Sequence, residues 1–270
     1  MSNPFLNDKA IATASQAGWA APDPSARSTP INDPINDGPI SSWRPGVMTV
    51  SGTITATGVL MVLLLASATA GWIAAPSYGE SGAGLPMLAI AGVLVGFVCA
   101  IVVHFKPLLS RILGPIYAVA QGFFLGAISK AYDTYQNGIV VQAVGATLGV
   151  FLVMLFLYRT QIIKVTDRFR RVIMTATMGL MVFYGISFVI SLFGGNVSFL
   201  SSASLLGIGF SLFAATLAAM NLALDFDFIE KGSKANLPKG MEWYAAFGLV
   251  ITLVWLYLEL LRLLSKLNQR

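Results

Sequence analysis

The chain has 270 residues, of which 56% are hydrophobic and only 11% charged, with a mean hydropathy of +0.75 and a formal net charge of +5. A water-soluble domain carries about a quarter of its residues as charges, so a soluble enzyme or a nucleic-acid binder is excluded and the positive balance reads as a bias between loops. The only cysteine, Cys99, cannot make an intrachain disulfide, and the only histidine, His104, leaves no zinc site that needs two imidazoles, which ends the metal-hydrolase and serine-hydrolase readings.

Residues 1–46 hold seven of the twelve prolines and a near-repeat, Pro-Ile-Asn-Asp, at 30–33 and 34–37. Such a segment has too little apolar surface to offset its ordering entropy, so a disordered tail is expected, followed by a membrane domain over 47–267. The tail lacks the basic start, short apolar stretch and small-residue cleavage site of a signal peptide.

Seven segments after Gly46 are long and apolar enough to cross about 30 Å of hydrocarbon. They fall at Met48–Ala74, Gly84–Phe105, Ile112–Tyr132, Gly138–Tyr158, Val172–Phe193, Leu205–Ile229 and Trp243–Leu264. Uninterrupted apolar runs lack the alternation of barrel strands, so the expected fold is all-α with seven transmembrane helices. Pro86 and Pro115 fall in the first turns of their spans, where proline costs no helix hydrogen bond. Gly92 and Gly96, Gly122 and Gly126, and Gly145 and Gly149 are each four apart, and all three pairs read as internal packing. Asn196-Val-Ser198 matches a glycosylation sequon and reads as chance.

The connections after spans two, four and six carry ten basic residues, among them Lys106, Arg111 and Arg159 to Arg171, whereas those after spans one, three and five carry only Lys130. Retention of lysine and arginine inside then puts the N-terminus in the cytoplasm and the C-terminus outside. Arg262, Lys266 and Arg270 point the other way, which leaves open a re-entrant last segment.

A charged side chain at the bilayer centre costs at least about 2.5 to 3.5 kcal/mol, so acids inside spans mark function. Glu80, Asp133, Asp167, Glu230 and Glu242 fall in or beside loops. Asp227 reads as interfacial, beside Glu230 and Lys231. Asp225 sits deeper in span six and could pair with an interfacial lysine, and Glu259 lies well inside span seven, where Arg262 is its i,i+3 neighbour. Two carboxylates on consecutive helices suggest one unit that holds either a proton or a divalent cation, calcium above all. A straight-helix estimate, however, sets their depths roughly 18 Å apart.

The run Leu256-Tyr257-Leu258-Glu259-Leu260-Leu261-Arg262-Leu263-Leu264 resembles the last-span motif of the Bax inhibitor-1 family, the transmembrane Bax inhibitor motif proteins. Leu224-Asp225-Phe226-Asp227-Phe228-Ile229 is similar to its Tyr-Asp-x-x-x-Ile, and Tyr132 to Phe151 to its third-to-fourth span region. Met48-Thr49 and Met241-Glu242-Trp243-Tyr244 resemble the bacterial branch.

The resemblance implies a central last helix and a calcium leak under a paired-acid pH sensor, here Asp225 and Glu259, with Lys106 or Arg111 as countercharge. It implies no cofactor, calcium being the permeant ion, and no enzymatic activity. The rival is a non-conducting regulator that binds a membrane protease or cell-death and stress machinery. An intramembrane aspartyl protease would need a second aspartate and Gly-x-Gly-Asp, and a retinal protein a lysine inside span seven. The expected location is a bacterial inner membrane.

Overall fold

The computed structural model describes residues 46–75, 87–193, 195 and 202–269. Over these the chain forms α1 (Val50–Ala74), α2 (Met87–Phe105), α3 (Ser110–Tyr135), α4 (Ile139–Arg159), α5 (Asp167–Leu192), α6 (Leu205–Lys234) and α7 (Met241–Asn268). A 3-10 turn at Pro107–Leu109 leads into α3. Six of these helices are long and apolar enough to cross a membrane, and α2 adds a shorter apolar one, so the fold is that of an all-α polytopic membrane protein. The expected tail, Glu80, Pro86 and the sequon at 196–198 lie outside the described residues.

Side chains start three of the helices. Thr49, Thr166 and Ser204 accept the N–H of Gly52, Phe169 and Gly207, each satisfying a donor that the first helical turn leaves without a partner. Several helices run a turn beyond their apolar stretch, because hydropathy marks the hydrocarbon while the helix continues through the interface; α6 continues to Lys234 in this way. Helix α3 likewise begins two residues before its apolar stretch. Pro115 is therefore inside the helix rather than in its first turn, and its missing N–H leaves one backbone carbonyl without its helical donor.

Small residues fix the tightest contacts. A Cβ on Gly122 would come within 2.3 Å of the Leu64 carbonyl oxygen, and one on Gly92 within 2.5 Å of that of Ala120. Gly126 is closer still to Ala68. These glycines let α3 lie backbone to backbone with α1 and α2. Gly145 and Gly149 behave differently: no atom lies within 4 Å of a Cβ built on either, so this pair on α4 faces outward and does not serve internal packing.

Helix α7 is the wall between two apolar clusters. Its Ala246, Phe247, Val250 and Val254 pack with Leu60 of α1, Val103 of α2 and Tyr117 of α3, together with buried Cys99. From its other side, Leu249, Leu256 and Leu260 pack with Met154 of α4 and Leu222 and Phe226 of α6.

The approach to α1 is tied to the start of α7. Met48 N–H donates to Leu237 O at 2.7 Å and Lys239 N–H to Gly46 O at 3.0 Å, forming the isolated bridge Val47–Pro238. Buried Glu242 accepts from both the N–H and the hydroxyl of Thr49, each at 2.9 Å. Gly52 leaves the room for that carboxylate, since a Cβ there would lie 2.2 Å from Glu242 Oε1. Removing an ionic acceptor from two half-buried donors costs about 1 to 2 kcal/mol. Glu242→Ala should therefore lower the unfolding midpoint in detergent clearly more than Glu242→Gln. Deleting residues 2–44 should leave that midpoint in place, and extending the deletion through Met48 should lower it.

Candidate functional site

A stripe on α7, Gly248, Thr252, Trp255, Glu259, Arg262 and Lys266, recurs at steps of three and four residues and so occupies one face of the helix. That face meets α6 and α5, and the polar groups of all three helices form one seam. Asp225 on α6 faces Gly248 and lies within hydrogen-bonding reach of Thr252. At the other end Lys266 donates to Gly207 O and Ser211 Oγ on α6, both at 2.9 Å. Between these two contacts Trp255 packs beside Leu217 and Ala214 of α6.

The seam has three layers. Near the end of α6, Asp227 accepts from Arg170 Nη2 on α5 at 2.7 Å and from Lys231 at 2.8 Å, while Glu230 accepts from the Tyr158 hydroxyl on α4 and pairs with Lys234. Two residues earlier on α6, and so on the opposite face, Asp225 has no cation beside it, and its Oδ2 is sealed from the surface with no hydrogen-bond partner. Asn221 follows, donating to Thr177 Oγ1 on α5 at 2.8 Å.

The third layer surrounds Glu259, which is 2% exposed. Its Oε1 accepts from the Tyr184 hydroxyl on α5 at 2.8 Å and from Trp255 Nε1 at 3.2 Å, and Arg262 Nη1 reaches both carboxylate oxygens at 3.2 and 3.1 Å. Arg262 also donates to the Tyr184 hydroxyl and lies 5.4 Å from the centre of that ring. Every contact to Glu259 is a donor, so the pocket is shaped for a carboxylate anion.

Asp225 and Glu259 are therefore not in contact. Glu259 stands two helical turns beyond Thr252, about 10 Å along the axis, and Trp255 lies between them on α7. The i,i+3 partner Arg262 is the charge that meets Glu259. Lys106 and Arg111, both exposed at the connection between α2 and α3, make no ion pair among the described residues. No group of three or more His, Cys, Asp or Glu side chains gathers to hold a metal among the described residues.

Lys266 is only 3% exposed, so it is a buried strut between α7 and α6 rather than a free interfacial charge. Sequence reasoning missed it, along with Tyr184, Trp255 and Ser211. The three-four spacing of the α7 stripe was a visible signal for Trp255 and Lys266, whereas the α5 and α6 partners carry no signal of their own.

Breaking a buried ion pair costs about 3 kcal/mol when the group left behind stays buried. Arg262→Gln strands Glu259 and should destabilise the protein by about that amount. Glu259→Gln leaves the more open Arg262 and should cost less. The double change should cost less than the sum of the two, as measured by unfolding in detergent.

The sequence matches the family described as Bax inhibitor 1 like over residues 3–269. No curated protein matches it. With seven apolar helices among the described residues, a central last helix and a match across nearly its whole length, the chain belongs to the Bax inhibitor 1 like family of membrane proteins.

Proposed function

We propose that the protein is a passive, non-enzymatic leak for cations, calcium first, in which Asp225 binds either the ion or a proton. The observation that carries this reading is the isolation of Asp225. Asp227, Glu230 and Glu259 each meet a lysine or arginine within 3.1 Å, whereas Asp225 meets none and keeps one sealed oxygen without a partner. A carboxylate held at membrane depth without a countercharge is costly, and it is stabilised by a proton or by a cation with oxygen preference. One carboxylate beside a threonine hydroxyl makes a weak calcium site, which suits an ion that must leave again. Glu259 serves as the anchor of α7. Acid protonates Asp225 and removes the ion's ligand, so the leak responds to pH through this one group.

Calcium flux from liposomes containing the purified protein should vary with pH. Asp225→Asn should flatten that dependence, and Glu259→Gln should leave its midpoint in place. Equal loss in both variants would restore a coupled pair of acids. Absence of flux from folded wild-type protein at every pH would favour the regulator, a non-conducting protein that binds a membrane protease or stress machinery.

We place the N-terminus in the cytoplasm of a bacterial cell and the protein in its inner membrane, on the loop charges. Two of the three basic residues that opposed this orientation have structural partners: Arg262 meets Glu259, and Lys266 is buried against α6. Helix α7 is continuous, and its two ends lie with opposite ends of α6, which leaves no re-entrant turn within it. A reporter fused after residue 166 should read cytoplasmic and one after residue 199 external; opposite signals would reverse the orientation.

A further inference from the structure

We infer that Arg262 is a shared group that binds, on its open side, the phosphate of an anionic phospholipid in the leaflet at the α3–α4 turn, in competition with Glu259. The guanidinium is used on one side only. Nη1 makes all three of its hydrogen bonds, to Tyr184 and to both oxygens of Glu259, while Nε and Nη2 have no partner among the described residues. The Arg262 side chain is 35% exposed above a carboxylate that is 2% exposed. A planar fork with two unused donors matches a phosphate better than any other common membrane anion.

Charge balance points the same way. Lys266, one turn further along α7, is held by a neutral carbonyl and a hydroxyl, so Glu259 stands alone against two cations. The groups facing this layer from the other helices are the neutral hydroxyls of Tyr132 on α3, Tyr184 on α5 and Ser211 on α6. Asp133, the acid at the end of α3, is committed to the N–H of Gly138.

Depth places the open side at a headgroup. Ile139, the first residue of α4, packs on Leu261. Helix α4 has 21 residues, about 30 Å, which is just the length needed to cross the hydrocarbon. The hydrocarbon therefore ends at the level of Leu261 and Arg262. One turn on, Gln136 of the α3–α4 turn donates to Ser265 O. A phosphate at that level reaches Nε and Nη2 from the side, and each gain in its hold on Arg262 is a loss for Glu259.

The test is equilibrium binding of phosphatidylglycerol to the full-length protein in neutral detergent, with bound lipid counted by native mass spectrometry. Phosphatidylcholine and inorganic phosphate form separate arms. Phosphatidylglycerol should be retained over phosphatidylcholine, and Glu259→Gln, which frees the guanidinium, should tighten it roughly fivefold. Arg262→Lys keeps the charge but loses the fork and should weaken it. Any anionic lipid held by the basic residues of the α4–α5 connection should be common to every variant and cancel in the comparison. Unchanged or weaker lipid binding in Glu259→Gln overturns the sharing, as does unchanged binding in Arg262→Lys should the glutamine variant not fold. Displacement of the lipid by inorganic phosphate at equal concentration would make the site one for free phosphate and overturn the lipid assignment.

Discussion

A carboxylate on the innermost helix of a membrane protein must find its donors inside the protein, and the rest of the seam follows from that need. Glu259 is buried because α7 is walled in by α1 and α3 on one side and by α4 and α6 on the other. Water cannot solvate it there, and an isolated ionised carboxylate in such surroundings would be far too costly. Arg262 on its own helix, Trp255 one turn earlier and Tyr184 from α5 supply the donors. Tyr184 thus anchors the peripheral helix α5 to α7 by a polar contact, which suits a helix with few buried residues of its own.

The central place of α7 depends in turn on the close approach of α1 and α3. Glycines at 122 and 126 bring those two backbones together, so that side chains from both converge on one face of α7. At its N-terminal end the same helix is gripped by Glu242 and Thr49, and near its C-terminal end by Lys266 and Ser211. Both grips are polar and both are largely sealed from solvent, so each fixes the register of α7 where apolar packing alone would allow it to slide.

Separating the seam into layers changes how its acids are understood. Asp227 and Glu230 sit among arginine and lysine near the C-terminal end of α6, where long cationic side chains can reach them. Glu259 carries its own cation. Asp225, half a turn from Asp227 but on the opposite face of α6, and more than two turns from Glu259, is beyond the reach of either set. Its isolation is a consequence of helix register, since residues with similar neighbours in the chain end up with very different partners in space.

The sequence by itself determined the class of the fold and, within a few residues, the positions of the helices among the described residues, because apolar length against a bilayer is a one-dimensional constraint that each segment meets alone. It also singled out Asp225 and Glu259, since a charge inside an apolar run is visible without any neighbour, and it named Arg262 as a partner at helical spacing. Only the tertiary structure decided which glycine pairs were internal, that Lys266 was inside the bundle, and that the two acids stood in separate layers. Each of these depends on the relative register and facing of two helices, which apolar periodicity leaves free when a helix is apolar around its whole circumference. Partners such as Tyr184 and Ser211 lie 75 and 55 residues from the charges they serve, and nothing local to either marks it until the helices are docked.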